Sequence, residues 1–455
     1  MKTLIEKWNS LCDILIEFDN PLLFGPRLSI FANIERTERR TIRNSLRKLN
    51  ISKIFVYRYR SYNQEIIDFN KKEIYLLFST SEAAFKQFKL FIDYSLANGK
   101  NVAIITNRNV LKYRNDYFTK LINVNVDYQI IESAPVWKNI LKIIKCFFKS
   151  QSDLYLLNKK IKTCLGITLD KQKVFSFLYI DRLTFESGLF LFKNSMPNAI
   201  YSSSDMTGGY HAMHALANKY NIPNYVFQHG TLGILQTRHH PGTKVIVWGL
   251  RHKEYIDKIT QGKDETIILN LHTKLFKQNV INLSNKQKNS IKKRIVFISN
   301  GLYTANNFYT QMYVDSTFDV IRKLSEDQRF EIFIKLHPSE NEYFIKRIIE
   351  KDNIKLITDK MSVSELAAYS YVCFSNYSTV SQEMLHFNTV SLIYHPINYV
   401  SDPDFVGICM PECEFNDQAS FLKEMNNLCD SNYYDKRLSI QTKILPLIFD
   451  QTLYD

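Results

Sequence analysis

Residues 221–231 read NIPNYVFQHGT, a short apolar segment that ends in a polar Gln-His-Gly-Thr turn. Residues 330–340, FEIFIKLHPSE, repeat this arrangement with a His-Pro turn. In open α/β sheets, ligands bind outside the carboxyl ends of the strands. A histidine at the exit of a strand in each half of the chain therefore predicts an α/β protein with two lobes that face one cleft.

The clearest part of this pattern is residues 294–394, where short apolar segments alternate with helical ones. The predicted strands are 294–299, 330–336, 354–357, 371–374 and 390–394; the predicted helices are 308–325, 340–351 and 379–386, with one more that opens at a Ser362–Glu365 capping box. Strands that alternate with helices indicate βαβ units in a parallel sheet.

The N-terminal half shows the same alternation less cleanly. Strands are predicted at 74–78, 102–105, 199–202, 224–228 and 245–248, and helices at 81–97 and 210–220. We predict an acceptor-side Rossmann-like domain at 1–275, a polar Lys/Asn-rich linker at 276–293, a nucleotide-donor-binding Rossmann-like domain at 294–430, and a C-terminal helix at 431–455 that packs back on the first domain.

The composition sets broad limits on the class of protein. A chain of 455 residues predicts two or three domains with ample core. It contains no apolar run of about 18 residues and no start typical of a signal peptide, so we expect a cytoplasmic protein. Its seven cysteines form no Cys-x-x-Cys pair, which favours reduced thiols. The net charge of +14 either favours polyanionic partners or reflects a Lys-rich composition.

Residues 136–149 form an amphipathic helical pattern. Lys138, Lys142, Lys145 and Lys149 fall on one face of the predicted helix, and its apolar residues gather elsewhere. Such a helix either lies on an anionic membrane surface or packs its apolar stripe against its own domain.

Two turns in the N-terminal half carry candidate catalytic groups. In the first, Gly230 allows close approach of the backbone to a ligand, Thr231 offers a hydroxyl and an amide, and His229 suits the removal of a proton from an acceptor hydroxyl. In the second, residues 202–210 (SSSDMTGGY), Asp205 is a candidate base or a partner for an imidazole. The alternative for the first turn is a tight turn with a hydrogen-bonded histidine, and the alternative for the second is an ordinary helix start.

Turns at three strand ends in the C-terminal half favour nucleotide binding, at 299–301, 335–338 and 375–383. Lys335 and His337 share one side of a strand end and suit a phosphate. Residues 375–383 (SNYSTVSQE) place hydroxyls and free amides at a helix start, which is typical either of an anion site or of simple N-capping. The predicted donor-binding residues of this half are Lys335, His337, Ser375, Ser378, Thr379, Glu383, Asn300 and Gly301.

Several common motifs are missing from the sequence. It has no Gly-x-x-x-x-Gly-Lys-Ser/Thr phosphate loop, no Gly-x-Gly-x-x-Gly fingerprint and no Gly-x-Ser-x-Gly elbow. We predict no metal site and no cofactor beyond the nucleotide-activated substrate.

The order of the motifs at 228–230, 247–249, 335–338 and 375–383 resembles the GT-B glycosyltransferases of bacterial surface polysaccharide synthesis. The likeness covers residues 195–395 and is nearest to capsule polymerases, to sialyltransferases with a His-Pro motif, and to the polyol-phosphate transferases of teichoic acid synthesis. It implies two Rossmann-like lobes with the active site between them.

The resemblance also implies roles for individual residues. His337 contacts the donor phosphate, Glu383 lies near the ribose, and His229 matches the histidine at the reaction centre of the polyol-phosphate transferases. Ser375, Ser378 and Thr379 then cradle the phosphate. The chain departs from the pattern at Gln228, where these transferases have an aromatic residue, and it lacks the acidic-acidic-Gly motif of several sialyltransferases.

The expected function is metal-independent transfer of a sugar, or a polyol phosphate, from a CMP-, CDP- or UDP-linked donor to a surface polysaccharide or lipid-linked glycan. The expected partners are this donor, the glycan acceptor and the anionic inner face of the membrane, without nucleic acid. Two alternatives stay open: a UDP-sugar 2-epimerase on the same fold, and a basic scaffold that binds glycan or nucleic acid without catalysis.

Overall fold

The computed structural model describes most of the chain outside several internal segments. The described residues are 3–18, 22, 68–70, 72–77, 82–106, 127–130, 140–166, 168–169, 171–193, 195–204, 210–228, 230, 232–271, 292–300, 311–337, 340, 354–358, 361–376, 378–396, 407 and 409–450.

The chain divides into two compact units. The first comprises Met1–His229, Leu235–Ile246 and Ile256–Ile267, and the second comprises Gly230–Ile234, Val247–Tyr255 and Ile268–Asp455. The predicted linker lies almost wholly outside the described residues, and the predicted domain boundaries remain a prediction.

A parallel sheet forms the centre of the first unit. Its described strands are β1 (Glu73–Leu77), β2 (Val102–Thr106), β3 (Asp127–Ile130), β4 (Ala199–Ser202), β5 (Asn224–Phe227), β6 (Thr243–Val247) and β7 (Glu265–Ile268), in the order β3-β2-β1-β4-β5-β6-β7. The pairs from β3 across to β6 all run parallel. The strand order reverses between β1 and β4, which makes this the switch point of a doubly wound fold.

Six described helices begin in the chain before the second sheet: α1 (Leu4–Ile16), α2 (Glu82–Ala97), α3 (Ile140–Leu165), α4 (Lys171–Leu191), α5 (Tyr210–Lys219) and α6 (Leu250–Thr260). A capping box between Thr3 and Glu6 starts α1, and Trp8 and Leu11 on its inner face are fully buried. The predicted helix at 136–149 is longer than its pattern indicated, since α3 continues to Leu165.

A second parallel sheet forms the centre of the second unit. Its described strands are β8 (Lys293–Ile298), β9 (Phe330–Lys335), β10 (Ile354–Ile357), β11 (Val372–Ser375), β12 (Val390–Tyr394) and β13 (Glu414–Phe415), in the order β10-β9-β8-β11-β12-β13. All five pairings are parallel. The prediction of an α/β fold with two Rossmann-like parallel sheets is thus confirmed.

The helices of the second unit cover both faces of this sheet. They are α7 (Gln311–Glu326), α8 (Val363–Tyr369), α9 (Thr379–Glu383), α10 (Gln418–Asn427) and α11 (Ser431–Ile448). Helices α7, α10 and α11 pack on one face, with Phe297 and Ile334, while α8 and α9 pack on the other, with Val296 and Phe333. Burial on both faces explains why these strands are continuously apolar in sequence. The predicted capping box of Ser362 and Glu365 is present at the start of α8.

Helix α11 ends against residues 247–252, which belong to the same unit. The rings of Trp248 and Phe449 stack with centroids 5.5 Å apart, and the amide of Asp450 donates to the Trp248 carbonyl. Gly249 has no side chain because a Cβ there would overlap the backbone of Ile448. Among the described helices, none is both long and apolar enough to span a bilayer.

His252 follows on this segment and is completely buried, with its Nε2 atom 3.1 Å from Oε1 of Gln382 in α9. Burial lowers the pKa of His252 from 6.5 to about 4. The folded protein therefore holds this imidazole neutral, and in the neutral ring Nε2–H donates to Gln382.

We predict that His252 makes folding stability depend on pH. Below pH 6.5 the unfolded chain binds a proton that the folded chain does not take up until about pH 4, so stability falls as the pH decreases across that window. The contribution is about 3 kcal/mol at most. Urea denaturation of His252→Gln should show a shallower loss of stability over this range than the wild type. His337→Gln, at an exposed position, serves as the control, and equal slopes for all three proteins would contradict the assignment.

Candidate functional site

The switch point of the second sheet lies between β8 and β11, because the strand order reverses there. Ligands of doubly wound folds bind at this point, outside the carboxyl ends of the strands. Three predicted turns leave the sheet at this edge: Asn300 follows β8, His337 follows β9, and Ser378 follows β11. Parallel pairing of β8 with both β9 and β11 therefore brings these sequence-distant turns to one edge.

A carboxylate that the sequence pattern left without a role joins the first two turns. Glu340 accepts a hydrogen bond from the Ser299 hydroxyl (2.7 Å) with one oxygen and from the His337 amide (2.9 Å) with the other. The Glu340 amide in turn donates to the His337 carbonyl at 2.9 Å. The sequence does contain a signal for the contact between Glu340 and the His337 amide. An acidic residue three positions after a turn residue matches half of a capping box.

Lys335 and His337 lie on one side of the extended chain at the end of β9. Ile334 and Leu336 pack into the core on the other side, so the period of two directs Lys335 and His337 to the face on which Phe333 is buried. Helix α9 packs on that same face through Val380. His337 is exposed and Lys335 is half-buried. A cation and an imidazole are thereby placed over the face of the sheet that carries α9.

Hydroxyl groups shape the turn between β11 and α9. Ser375 is fully buried, and its hydroxyl accepts from the Ser378 amide at 3.1 Å and contacts the Ser381 hydroxyl. Ser378 caps α9 by accepting from the Val380 amide at 3.3 Å. Ser375 therefore holds the turn in shape, while Ser378 and Thr379 are partly exposed at its tip. Direct contact of these residues with a donor remains a prediction.

Asn376, also buried, fixes the turn from the other face of the sheet. Its side-chain amide donates to the Thr317 hydroxyl at 3.0 Å and to the Tyr394 carbonyl at 2.9 Å, which ties the exit of β11 to α7 and to the end of β12. Such fully buried polar contacts are costly to break, so the backbone at this exit is held in place.

Gly230, from the Gln-His-Gly-Thr turn, lies against the start of α9. It has a φ of +118°, and a Cβ at this position would be 3.1 Å from Oγ1 of Thr379. The Leu232 carbonyl, two residues on, accepts a 2.7 Å hydrogen bond from the Gly407 amide, which anchors this segment in the second unit. The structure thus places Gly230 next to Thr379, which is far from it in the sequence.

Glu383 and Asn300 are the two remaining predicted site residues that the structure describes. Glu383 is four residues after Thr379 on α9, so both side chains project from one side of the helix. Asn300 follows the buried Ser299 at the exit of β8, and both Glu383 and Asn300 are partly exposed. Four predicted site residues, Gly301, His229, Thr231 and Asp205, lie outside the described residues.

A buried polar network that sequence reasoning missed lies at the switch point of the first sheet. The Ser202 hydroxyl at the end of β4 is 2.7 Å from Nε2 of His214, and Nδ1 of His214 is 2.8 Å from Oδ1 of Asn224. These three side chains are at most 2% exposed. A substrate in solution does not reach groups buried to this degree, so the network has a structural role. It holds the end of β4 in place, and with it Ser203 and Ser204, which follow that strand.

Comparison with known proteins adds a set of structural similarities. No protein-family model and no curated protein matches the sequence. A glycosyltransferase from Rickettsia africae ESF-5 is similar at 10% identity with a TM-score of 0.48, over 85% of this chain and 95% of that one. A UDP-glucose:anthocyanidin 3-O-glucosyltransferase in complex with UDP is similar at 10% identity and 0.49, over 84% and 94%.

A UDP-GlcNAc 2-epimerase from Methanocaldococcus jannaschii, in complex with UDP-GlcNAc and UDP, is also similar, at 10% identity with a TM-score of 0.45, over 82% of this chain and 98% of that one. Transferases and an epimerase thus both occur among these proteins, and the activity has to be argued from the residues themselves.

We predict that Gly230→Ala destabilises the second unit by about 1–3 kcal/mol, because it combines an unfavourable φ with pressure on Thr379. The matched control is Gly262→Ala, where φ is +72° and nothing lies within 4 Å of the added Cβ, so only the backbone cost of about 1 kcal/mol applies. Urea denaturation of both variants makes the comparison. Equal destabilisation by the two substitutions would show that a Cβ at position 230 does not clash with Thr379 of α9.

Proposed function

We propose that this chain is a glycosyltransferase of the GT-B type, which moves a sugar from a nucleotide-activated donor to a bacterial surface glycan. The observation that carries the proposal is the contact of Gly230 with Thr379 on the sheet face that also carries Lys335 and His337. Since His229 directly precedes Gly230 in the sequence, the proposal assigns the candidate base to the neighbourhood of the turn suited to phosphate.

The donor phosphate is proposed to bind between Lys335 and His337 on one side and the start of α9 on the other. A cation, an imidazole and the hydroxyls of Ser378 and Thr379 together stabilise the negative charge that builds on a leaving phosphate. Glu340 is proposed to position the site indirectly. It accepts hydrogen bonds from the His337 amide and the Ser299 hydroxyl at the same time, and so holds the two turns together. Glu383 faces the same side as Thr379 and is placed to accept from ribose hydroxyls.

The transfer step is proposed to be a direct displacement. His229, the residue before Gly230, removes the proton from the acceptor hydroxyl, and the oxygen then attacks the anomeric carbon of the donor sugar. The bond from that carbon to the donor phosphate breaks, and the nucleotide leaves with the electron pair. Asp205 is proposed to orient the imidazole of His229. The proposed step uses no metal ion.

The 2-epimerase alternative requires several carboxylates that exchange protons with a sugar ring. At the described edge of the second sheet, Glu340 uses both of its oxygens for Ser299 and His337. Glu383 is the remaining carboxylate among the described residues of the site turns. This favours transfer over epimerisation. An epimerase consumes its donor without an acceptor, whereas the proposed enzyme releases nucleotide only when an acceptor is present.

The acceptor and the setting are also part of the proposal. A polymerising enzyme of surface glycans works on a growing polysaccharide or a lipid-linked precursor in the cytoplasm. The net charge of +14 is compatible with this setting, because both phosphorylated donors and anionic lipid head groups are negatively charged.

We predict that His337→Ala and Lys335→Ala each weaken nucleotide affinity about tenfold or more, because each removes a charged or polar contact to phosphate. Isothermal titration against CMP, CDP, UDP and GDP first selects the nucleotide, and the variants are then compared with the wild type. Lys355→Ala is the matched control, since Lys355 on β10 is engaged with Glu331 at 2.6 Å. Unchanged affinity in the first two variants would remove both residues from the donor site.

We predict that His229→Ala leaves nucleotide affinity unchanged but lowers the rate of transfer by about 100-fold to 10,000-fold, the range expected for loss of a general base. The measurement is acceptor-dependent release of free nucleotide from the donor that titration selects. His337→Ala provides the contrast, because it should raise the KM for the donor. A near-normal kcat for His229→Ala would exclude this residue as the base.

A further inference from the structure

An exposed apolar patch lies where α1 ends beside α3. Among the described residues, seven large hydrophobic side chains are exposed, and three of them are here: Tyr155 (63% exposed), Leu156 (52%) and Ile16 (44%). An ion pair between Glu17 and Lys160 joins the two helices at this point. Lys160 is one helical turn from Leu156, and Glu17 adjoins Ile16 in the sequence, so Leu156 and Ile16 lie near this ion pair.

The patch does not belong to the core of the first unit. Leu154, Leu157 and Ile161 form the inner face of α3 and are at most 3% exposed. Tyr155 and Leu156 project from the opposite side of the helix, because successive residues are about 100° apart around its axis. The side chains that pack α3 onto the protein are thus distinct from those that face outward.

The outward face carries cations near the C-terminal end of α3. Residues 151–165 contain three lysines, Lys159, Lys160 and Lys162, against one acidic residue, Asp153. Lys159 and Lys162 are exposed, and they are four and seven positions after Tyr155, which places them on its side of the helix. Exposed apolar groups are therefore flanked by cations along one face.

We propose that this face of α3, with Tyr155, Leu156 and Ile16, binds an anionic lipid surface. Lipid offers both parts of the required chemistry: head groups pair with lysines, while the acyl boundary takes up apolar side chains. Lysine side chains suit this arrangement because their stems lie along apolar surface while the ammonium groups reach the head groups. A nucleic acid would attract the lysines but would gain nothing from Leu156. The inference is independent of the proposed function.

The test uses the full-length protein and co-sedimentation with two kinds of vesicle, pure phosphatidylcholine and phosphatidylcholine with about 30% phosphatidylglycerol. The wild type should bind the anionic vesicles at least about tenfold more tightly than the neutral ones, and high salt should weaken the binding. No binding to anionic vesicles, or equal binding to both kinds, would overturn the proposal.

Two pairs of matched variants locate the contact. The double variant Tyr155→Ser/Leu156→Ser should weaken binding to anionic vesicles about tenfold or more, whereas Met312→Ser, at a 62% exposed position on α7, should not. Lys159→Gln/Lys162→Gln should weaken it by a similar factor, whereas Lys436→Gln/Lys443→Gln, with the same change in charge at exposed positions of α11, should not. Equal losses in the two lysine variants would show that net charge alone drives binding, and equal losses in the two apolar variants would show that the patch is not the contact; either result would overturn the proposal.

Double-stranded DNA provides the competing outcome. If the protein binds DNA as tightly as anionic vesicles, and the apolar double variant retains full binding to both, the patch is a general polyanion site and the lipid proposal is wrong. Thermal unfolding of every variant confirms that it is folded. Since the substituted side chains are exposed, a change of less than about 0.5 kcal/mol in stability is expected.

Discussion

Parallel pairing in the second sheet is the constraint on which the candidate site depends. In a parallel sheet, every strand that is paired in register ends at the same edge, and β9, β8 and β11 are paired residue by residue. The turns after these strands are separated by tens of residues in the sequence, yet they share one edge. The strand order reverses between β8 and β11, which is the point at which doubly wound folds bind their ligands.

Polar contacts between the turns give this edge a fixed shape. Glu340 joins two turns through the Ser299 hydroxyl and the His337 amide, Ser375 holds the Ser378 amide from below, and Asn376 ties the strand exit to its neighbours. These hydrogen bonds restrict the backbone of the turns at some cost in flexibility. The exposed His337 and the partly exposed Lys335 and Thr379 are thereby held on a rigid base, which suits the proposed stabilisation of a developing charge.

The two proposals concern different parts of the molecule but suit one setting. The donor chemistry is assigned to the second unit, while the lipid contact is assigned to α1 and α3 of the first unit. An enzyme that extends a lipid-linked glycan benefits from being held at the surface where its acceptor is anchored, because confinement raises the effective concentration of that acceptor. Neither proposal requires the other.

The sequence by itself determined the fold class and the positions of most strands, because strands buried on both faces are continuously apolar and end at polar turns. It also singled out Lys335, His337 and the 375–383 turn as strand exits. Only the tertiary structure decided that Gly230 lies against Thr379, that Glu340 braces two turns, and that Ser375 is buried. These facts depend on contacts between residues far apart in the chain, and local periodicity carries no information about such contacts. For the same reason, the length of α3 and its exposed Tyr155 and Leu156 emerged only from packing.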